Sequence, residues 1–323
     1  MHRYLLRRTG QAALLVLLIA CLNFGLLHLA PGDAVDVLAG ETGAGDADYL
    51  AELRRNYGLD RPLWVQLSRY VWNVAQFDFG FAFHYHAPVV QVILERLPAT
   101  LLLMITSLTV ALVGGVVLGV IAARKAGSRW DALISVVSLI GYATPLFWLG
   151  LMLIVLFSVK LDLLPSSGFQ TIGGPDEFPE RQLDIARHLV LPACSLTLFY
   201  MATYIRLMRA QMLEVANLEF VRTARAKGVS ENRIAFRHVL RNAVLPVLSL
   251  FGVQIGSVLG GAVVVEVVFG WPGLGQLAFD AIAQRDTNLL MGILFFCSIL
   301  VVAVNLVVDL LYSRIDPRIE LHG

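Results

Sequence analysis

Four stretches of this chain carry no charged side chain: Thr9–Leu29, Ala99–Ala123, Leu133–Val159 and Asn288–Val308. An α-helix rises about 1.5 Å per residue and the hydrocarbon core of a bilayer is about 30 Å thick, so roughly 20 such residues make a crossing. A helix in a soluble core has no need of that length. Two further stretches, Leu189–Met208 and Val244–Val268, are nearly as apolar and carry one charge each, Arg206 and Glu266, close to one end. In oil, only helices and closed barrels satisfy their own backbone polar groups, and runs this long read as helices. The expectation is an all-α membrane protein with six transmembrane helices. Composition agrees, with 57% of residues hydrophobic and 15% charged, against roughly 45–50% and 25% in soluble domains.

The basic residues give the chain a sidedness. Arg3, Arg7 and Arg8 precede the first span, and Arg124, Lys125 and Arg129 lie between the second and third. Arg206, Arg209, Arg222, Arg225, Lys227, Arg233, Arg237 and Arg241 lie around the connection from the fourth to the fifth, and Arg314 and Arg318 follow the sixth. These alternate segments hold 16 of the 25 Lys and Arg residues. The positive-inside rule therefore places both termini in the cytoplasm, and six crossings require the same parity. The first apolar run is longer than the roughly 7–15 residues of a signal-peptide core, so it reads as a retained helix. A net charge of +1 gives no reason to expect nucleic acid. Cys21, Cys194 and Cys297 all fall inside predicted spans and read as packing residues, with no metal or disulfide spacing.

The predicted order along the chain is a first transmembrane helix within 1–30, an external domain over 31–97, a core of five helices over 98–312, and a cytoplasmic tail over 313–323. The external domain begins Gly- and Asp-rich (Gly40–Asp48), continues with a helix-like run (Tyr49–Tyr57), and ends in an aromatic segment from Trp64 to Tyr85. A second external loop, Lys160–His188, is acidic, rich in Pro and Gly, and expected to be irregular. Pro145 lies in mid-span and should bend the third helix, either shaping a pathway or merely packing. Pro192 and Pro246 fall near span starts, where proline costs little.

The cytoplasmic loop at 209–243 is the most informative part of the sequence. It far exceeds the roughly two to eight residues that a turn between helices needs. From Arg206 to Arg241 the chain has eight basic residues against three acidic ones, Glu214, Glu219 and Glu231. The pattern is helix, break, helix: Gly228 suits a helix C-terminus, Ser230 an N-cap, and Glu231 a first turn. Beyond the break, Arg233, Arg237 and Arg241 recur every four residues, with Ala235, Phe236 and Val239 off that stripe as an apolar face. Such a helix can rest on anionic lipid or bind a partner.

The residues beside it point to a partner. Phe220-Val221-Arg222-Thr223-Ala224-Arg225-Ala226-Lys227-Gly228, followed by Arg237-His238-Val239-Leu240-Arg241-Asn242-Ala243 and Leu245-Pro246, resembles the cytoplasmic EAA loop of ABC importer permeases. The form is that of the dipeptide/oligopeptide/nickel family. Arg222 and Thr223 stand where the general pattern has Glu and Ala, as is common in the peptide branch. Tyr57-Gly58-Leu59-Asp60-Arg61-Pro62-Leu63, Glu95-Arg96-Leu97-Pro98-Ala99-Thr100-Leu101 and Phe269-Gly270-Trp271-Pro272-Gly273-Leu274-Gly275 are similar to further segments of that family, in the same order. Arg285-Asp286 is similar to its motif before span six, although Thr287-Asn288 replaces the usual Tyr-Pro.

The resemblance implies the type I ABC importer permease fold, with a small external domain between helices 1 and 2. It implies a transmembrane permease subunit of an ATP-driven, binding-protein-dependent importer in the inner membrane. Peptides lead as cargo, with nickel chelates and glutathione as alternatives. The implied partners are a second homologous permease subunit, two cytoplasmic ATP-binding subunits, an extracytoplasmic substrate-binding protein and membrane lipid. The loop would be the coupling segment, with Phe220, Arg222, Thr223, Ala224, Arg225, Lys227 and Gly228 at the ATPase contact.

The chain itself offers no catalytic residues. A phosphate loop needs a Gly-rich stretch ending in Lys followed by Ser or Thr, whereas Lys125, Lys160 and Lys227 precede Ala126, Leu161 and Gly228. No cofactor is expected on this chain, and ATP and magnesium would be used by the partner ATPase. His84-Tyr85-His86 places two imidazoles close together, but two ligands alone are a weak metal signal, so no metal site is expected. An ion-coupled carrier would place ionisable groups at mid-membrane, and the first three spans have none. Glu266 is a candidate pathway residue with Pro145. Counted from Val244 it falls near the outer surface, where a solvated interfacial carboxylate is the plainer expectation.

Overall fold

The computed structural model describes residues 2–29, 55, 61–82, 84–175 and 177–315. The run Tyr49–Tyr57, Arg55 apart, and the tail beyond 315 lie outside these. The chain divides into two compact units, Met1–Pro98 with Gln276–Arg314, and Ala99–Gly275 with Ile315–Gly323.

The first unit carries helix α1 (His2–Leu29), helix α2 (Leu63–Ala75), a short hairpin of β1 (Phe81–Ala82) and β2 (Ala87–Pro88), helix α10 (Leu274–Ala283) from Gln276 on, and helix α11 (Thr287–Ile315). The hairpin is antiparallel, pairing Phe81 with Pro88 and Ala82 with Ala87. Its core joins Ala20 of α1, Val74 of α2 and Phe295 of α11, with the Phe79 ring 5.8 Å from that of Phe295. Gly292 permits the close packing of Phe79 and Val89 on α11, since a Cβ there would lie 3.2 Å from Cβ of Phe79 and 2.5 Å from a methyl of Val89. Asp286 caps α11, its carboxylate accepting the N–H of Leu289 at 2.9 Å. Trp64 and Trp72 stand exposed on α2, in keeping with an aromatic segment at a membrane interface.

The second unit is built around helix α6 (Glu180–Ala216), which buries a run of side chains from Leu191 to Val215 that includes Leu196, Tyr204 and Met208. Helix α3 (Val89–Arg124) begins in the first unit and ends in the second. It lies against α6 through two glycines one turn apart. A Cβ on Gly115 would fall 2.4 Å from Cβ of Tyr204, and one on Gly119 would fall 2.6 Å from Cβ of Met208. Small residues at such spacing let helix backbones touch, which gives packing energy where lipid supplies no hydrophobic drive. Helix α4 (Arg129–Ala143) starts at Ser128, whose hydroxyl accepts the N–H of Asp131. It is tied to α6 by a bidentate ion pair, Arg209 donating to Asp131 at 2.6 and 2.8 Å.

All six apolar runs are helical, and the third is broken. Helix α4 ends at Ala143, Thr144 is extended, and Pro145 opens helix α5 (Leu146–Leu153). That helix continues as a π-wound segment, Ile154–Lys160. The two halves meet at 107°, a sharper change than the bend expected from Pro145. Proline disfavours helical backbone at the residue before it, and Thr144 has yielded entirely. By length and apolarity five unbroken helices qualify as membrane spans, or up to seven if each bent pair counts as one.

Three further expectations are corrected. Pro192 and Pro246 lie inside helices rather than near their starts, as the helices run past the apolar stretches that predicted them. Lys160–His188 is not irregular throughout, because α6 begins at Glu180. The helix after Gly228 is not uniformly α. It opens as α8 (Glu231–Arg233), passes through a π segment (Ile234–Val239), and continues as α9 (Leu240–Phe269).

Candidate functional site

The loop between α6 and α9 has the helix, break, helix order that the sequence pattern predicted. Helix α7 spans Glu219–Ala226. Eight residues are too few for a stable helix in water by themselves, so its packing must hold it. Val221 and Ala224, three apart and on one face, are its two buried residues and join the core cluster of α6, Ile234 and Val239. The rest of the helix faces outward. Phe220 is 44% exposed and Leu218, just before the helix, 46%. Arg222, Thr223, Arg225 and Lys227 are exposed too. Two large apolar side chains among three cations, on a helix seated by its opposite face, form a surface suited to another protein.

Gly228 closes the element. Its φ is +76°, a region that costs an L-residue with a Cβ about 1–2 kcal/mol. The N–H of Gly228 donates to the Arg225 carbonyl at 3.0 Å, and that of Val229 to the Ala224 carbonyl at 3.2 Å. These bonds satisfy carbonyls that the helix end would leave open. Across the turn, the Arg225 guanidinium grips the Glu231 carboxylate at 2.7 and 3.3 Å. Both groups lie in the loop, before the apolar run of α9. Hydrogen bonding to Arg225 lowers the Glu231 pKa and raises that of Arg225. Both are largely solvated, so screening keeps the pair's contribution to stability small. Its role is geometric, bracing α7 against α8. Ser230 occupies the predicted N-cap position, although its side chain makes no capping bond.

Of the predicted coupling residues, Phe220, Arg222, Thr223, Arg225 and Lys227 share the outward surface, Ala224 seats the helix, and Gly228 ends it. The apolar face expected from Ala235, Phe236 and Val239 is different. The buried pair is Ile234 and Val239, five apart, because the π segment rotates the register. Phe236 is 52% exposed and lies under the Arg124 guanidinium, 5.3 Å from its ring centre.

The two candidate pathway residues are placed differently. Pro145 is exposed at the break between α4 and α5. Glu266 is fully buried, at 0% exposure, which corrects the solvated interfacial carboxylate. Its Oε1 accepts the Thr100 hydroxyl at 2.8 Å and its Oε2 accepts the Gly275 N–H at 2.6 Å. Thr100 in turn accepts the N–H of Leu274 at 2.7 Å, and the Trp271 indole donates to the Ala99 carbonyl at 2.9 Å. Glu266 thereby holds the turn 270–275 onto the start of the second unit's part of α3. Counting residues along the helix could not reveal this, because the turn folds back over its end. Among the described residues no group of three or more His, Cys, Asp or Glu side chains is placed to hold a metal ion.

Comparison with known proteins gives the chain's family and fold. Residues 115–321 match the family described as "Binding-protein-dependent transport system inner membrane component", and residues 1–104 match the N-terminal segment of such membrane components. The chain is 42% identical over 322 residues to a Bacillus subtilis (strain 168) protein named oligopeptide transport system permease protein AppB, covering 99% of this chain and 100% of that one. It is 42% identical over 335 residues to the di/tripeptide transport system permease protein DppB of Pseudomonas aeruginosa (strain UCBPP-PA14), with 99% of each covered. To the dipeptide transport system permease protein DppB of Escherichia coli (strain K12) it is 37% identical over 341 residues, again with 99% of each covered. Among solved structures, the inward-facing MetNI methionine ABC transporter aligns with a TM-score of 0.56 at 17% identity, over 70% of this chain and 97% of that one. An amino acid ABC transporter aligns at 0.52 and 15%, over 69% and 94%. At such identities the structures speak for the fold alone.

Proposed function

This chain belongs to the family of inner membrane components of binding-protein-dependent transport systems, and from that premise we propose that it is the peptide-translocating permease subunit of an ATP-driven importer. The relatives named for oligopeptides, di/tripeptides and dipeptides, similar from end to end, support the choice of cargo. One subunit supplies part of the pathway, and a second, homologous permease supplies the rest. Two cytoplasmic ATP-binding subunits drive it, using ATP and magnesium that this chain does not bind, and a substrate-binding protein delivers cargo on the outer face. Both termini and the loop 209–243 lie in the cytoplasm. The chain is not itself an enzyme.

The observation that carries this reading is α7. A helix anchored by Val221 and Ala224 and ended by Gly228 moves as a rigid piece when its exposed face is pushed. Displacement of Phe220, Arg222 and Arg225 by a closing ATPase pair then passes through the core cluster to α6 and α9. Differential contact with two states of the motor is what a coupling element requires. The test is uptake of a labelled dipeptide by cells bearing Arg222→Glu or Gly228→Pro, with membrane insertion checked by immunoblot. Both variants should insert and lose most uptake. Normal uptake with Gly228→Pro would reject the docking role. The purified chain alone should show no ATP hydrolysis, and turnover in a preparation free of other subunits would reject the division of labour.

A further inference from the structure

Beside the loop, but apart from the outward face of α7, the second unit has a groove that the transport reading does not use. It is a cavity of about 510 Å³ lined by Val116, Val117, Val120, Ile121, Arg124, Lys125, Phe236 and Leu240. One wall is a single stripe of the last turns of α3, the other the π segment and the start of α9. Below its mouth the lining is aliphatic and aromatic. At the mouth stand two cations, both exposed, and neither forms an ion pair among the described residues.

We propose that this groove holds one anionic phospholipid, its acyl chain lying along the α3 stripe and its phosphate at Arg124 and Lys125. Three observations select this occupant. First, the length fits: from Val116 to Arg124 an α-helix advances about 12 Å, enough for the upper part of an acyl chain. Second, the depth fits. Lys125 sits over the Trp130 ring, 5.2 Å from its centre, and Trp130 is 57% exposed. An exposed Trp beside a Lys at a helix end marks the headgroup level, so the stripe below it lies at acyl depth. Third, the charge fits. Arg124 spends one donor on the Asn232 side-chain oxygen and one face on Phe236, which leaves other N–H groups of its planar fork for a phosphate. Basic pockets between membrane helices take anionic headgroups for this reason. A zwitterionic lipid would bring its own ammonium to the same two cations. The proposal requires only that residues 116–125 run from acyl depth to the headgroup level of a membrane. It goes beyond the coupling role, and it is read without ATP or peptide, so its failure and that of the transport reading are separate results.

The assembled transporter, purified in mild detergent, is equilibrated with equal amounts of dioleoylphosphatidylglycerol and dioleoylphosphatidylcholine, and retained lipids are identified by native mass spectrometry. At least one phosphatidylglycerol should remain bound, in preference to phosphatidylcholine. Lys125→Gln should reduce that preference about five-fold, the contribution of one cation near an anionic surface. Val117→Trp, at a half-exposed position, should fill the groove and displace either lipid. Val117→benzoylphenylalanine, irradiated in native membranes, should give a phospholipid adduct. Equal retention of the two lipids by the wild-type complex, or a preference unchanged by both substitutions, would overturn the site. So would a photoadduct to a neighbouring protein chain, which would assign the groove to a subunit interface.

Discussion

Two glycines of this chain act for opposite reasons. At Gly228 a Cβ would meet nothing within 4 Å, so only the backbone conformation, φ +76°, matters. Asn tolerates that region better than other residues with a Cβ. Gly228→Asn should therefore keep most uptake, while Gly228→Ala should carry about 1–2 kcal/mol of strain and Gly228→Pro should fail. Proline fixes φ near −65° and removes the N–H that now bonds Arg225. Dipeptide uptake across the three variants, normalised to membrane content, checks that order. At Gly273 space is the constraint, since a Cβ would lie 2.2 Å from Oε1 of the buried Glu266. Gly275 is as tight, 2.4 Å from Cα of Val263. Gly273→Ala should cost about 1–3 kcal/mol through overpacking, seen as a lower thermal midpoint of the detergent-solubilised complex. Gly10→Ala, at a helix position where a Cβ meets nothing within 4 Å, is the control and should leave that midpoint unchanged or slightly higher. Combining Gly273→Ala with Glu266→Ala should cost less than the sum of the two, because the second removes the atoms that the first strikes.

At the scale of elements, α7 shows how much of the candidate site could be read from residues alone. Its extent, its glycine end and its charged face were legible, because capping and helical spacing act locally. Reading a buried face from spacing was possible for α7, where Val221 and Ala224 stand an ordinary helical three apart, although the family resemblance assigns Ala224 to the ATPase contact. It failed after Gly228, where the π segment puts Ile234 and Val239 on one side. Nothing in the sequence of that stretch announces a wider turn. The close approach of α3 to α6 left a signal that was available, Gly115 and Gly119 in an apolar run, since that spacing admits a neighbouring backbone. The Asp131–Arg209 pair and the burial of Glu266 left none, for each joins residues far apart in sequence. Burial divides α7 into an anchoring face and an outward face, and substitutions on the two should have different consequences. Val221→Asp would bury an uncompensated charge at a position with 0% exposure and should loosen the whole loop, reducing both ATPase co-purification and resistance of the loop to limited proteolysis. Phe220→Asp alters only the outward surface, and exposed aromatics are frequent anchors of protein interfaces. It should reduce co-purification on the order of tenfold while leaving proteolysis unchanged. If both variants lose the ATPase and both become protease-sensitive, the two faces are not separable.

At the scale of the whole molecule, the number of apolar runs was legible because bilayer thickness sets a length that few other constraints mimic. The break at Pro145 was legible in place but not in size, as an angle of 107° depends on what the second half packs against. Helix α5 packs on α9, where a Cβ at Gly150 would touch the Phe269 ring at 3.1 Å. Such a turn raises the question of which ends of the helices face which side of the membrane, and the transport reading requires one answer. Lys227, beside Gly228, must face the cytoplasm with the motor, and Ile172, fully exposed in the loop before α6, must face outward, because α6 carries the chain from one side to the other. Cys21, Cys194 and Cys297 are replaced by serine, and Lys227→Cys or Ile172→Cys is introduced singly. Intact cells are then treated with a membrane-impermeant maleimide. Ile172→Cys should label at once, while Lys227→Cys should label only after the cells are opened. The reverse pattern would turn the charge-based topology over, and with it the access of any cytoplasmic ATPase to α7. Labelling of both positions in intact cells would mean that α6 does not cross the membrane.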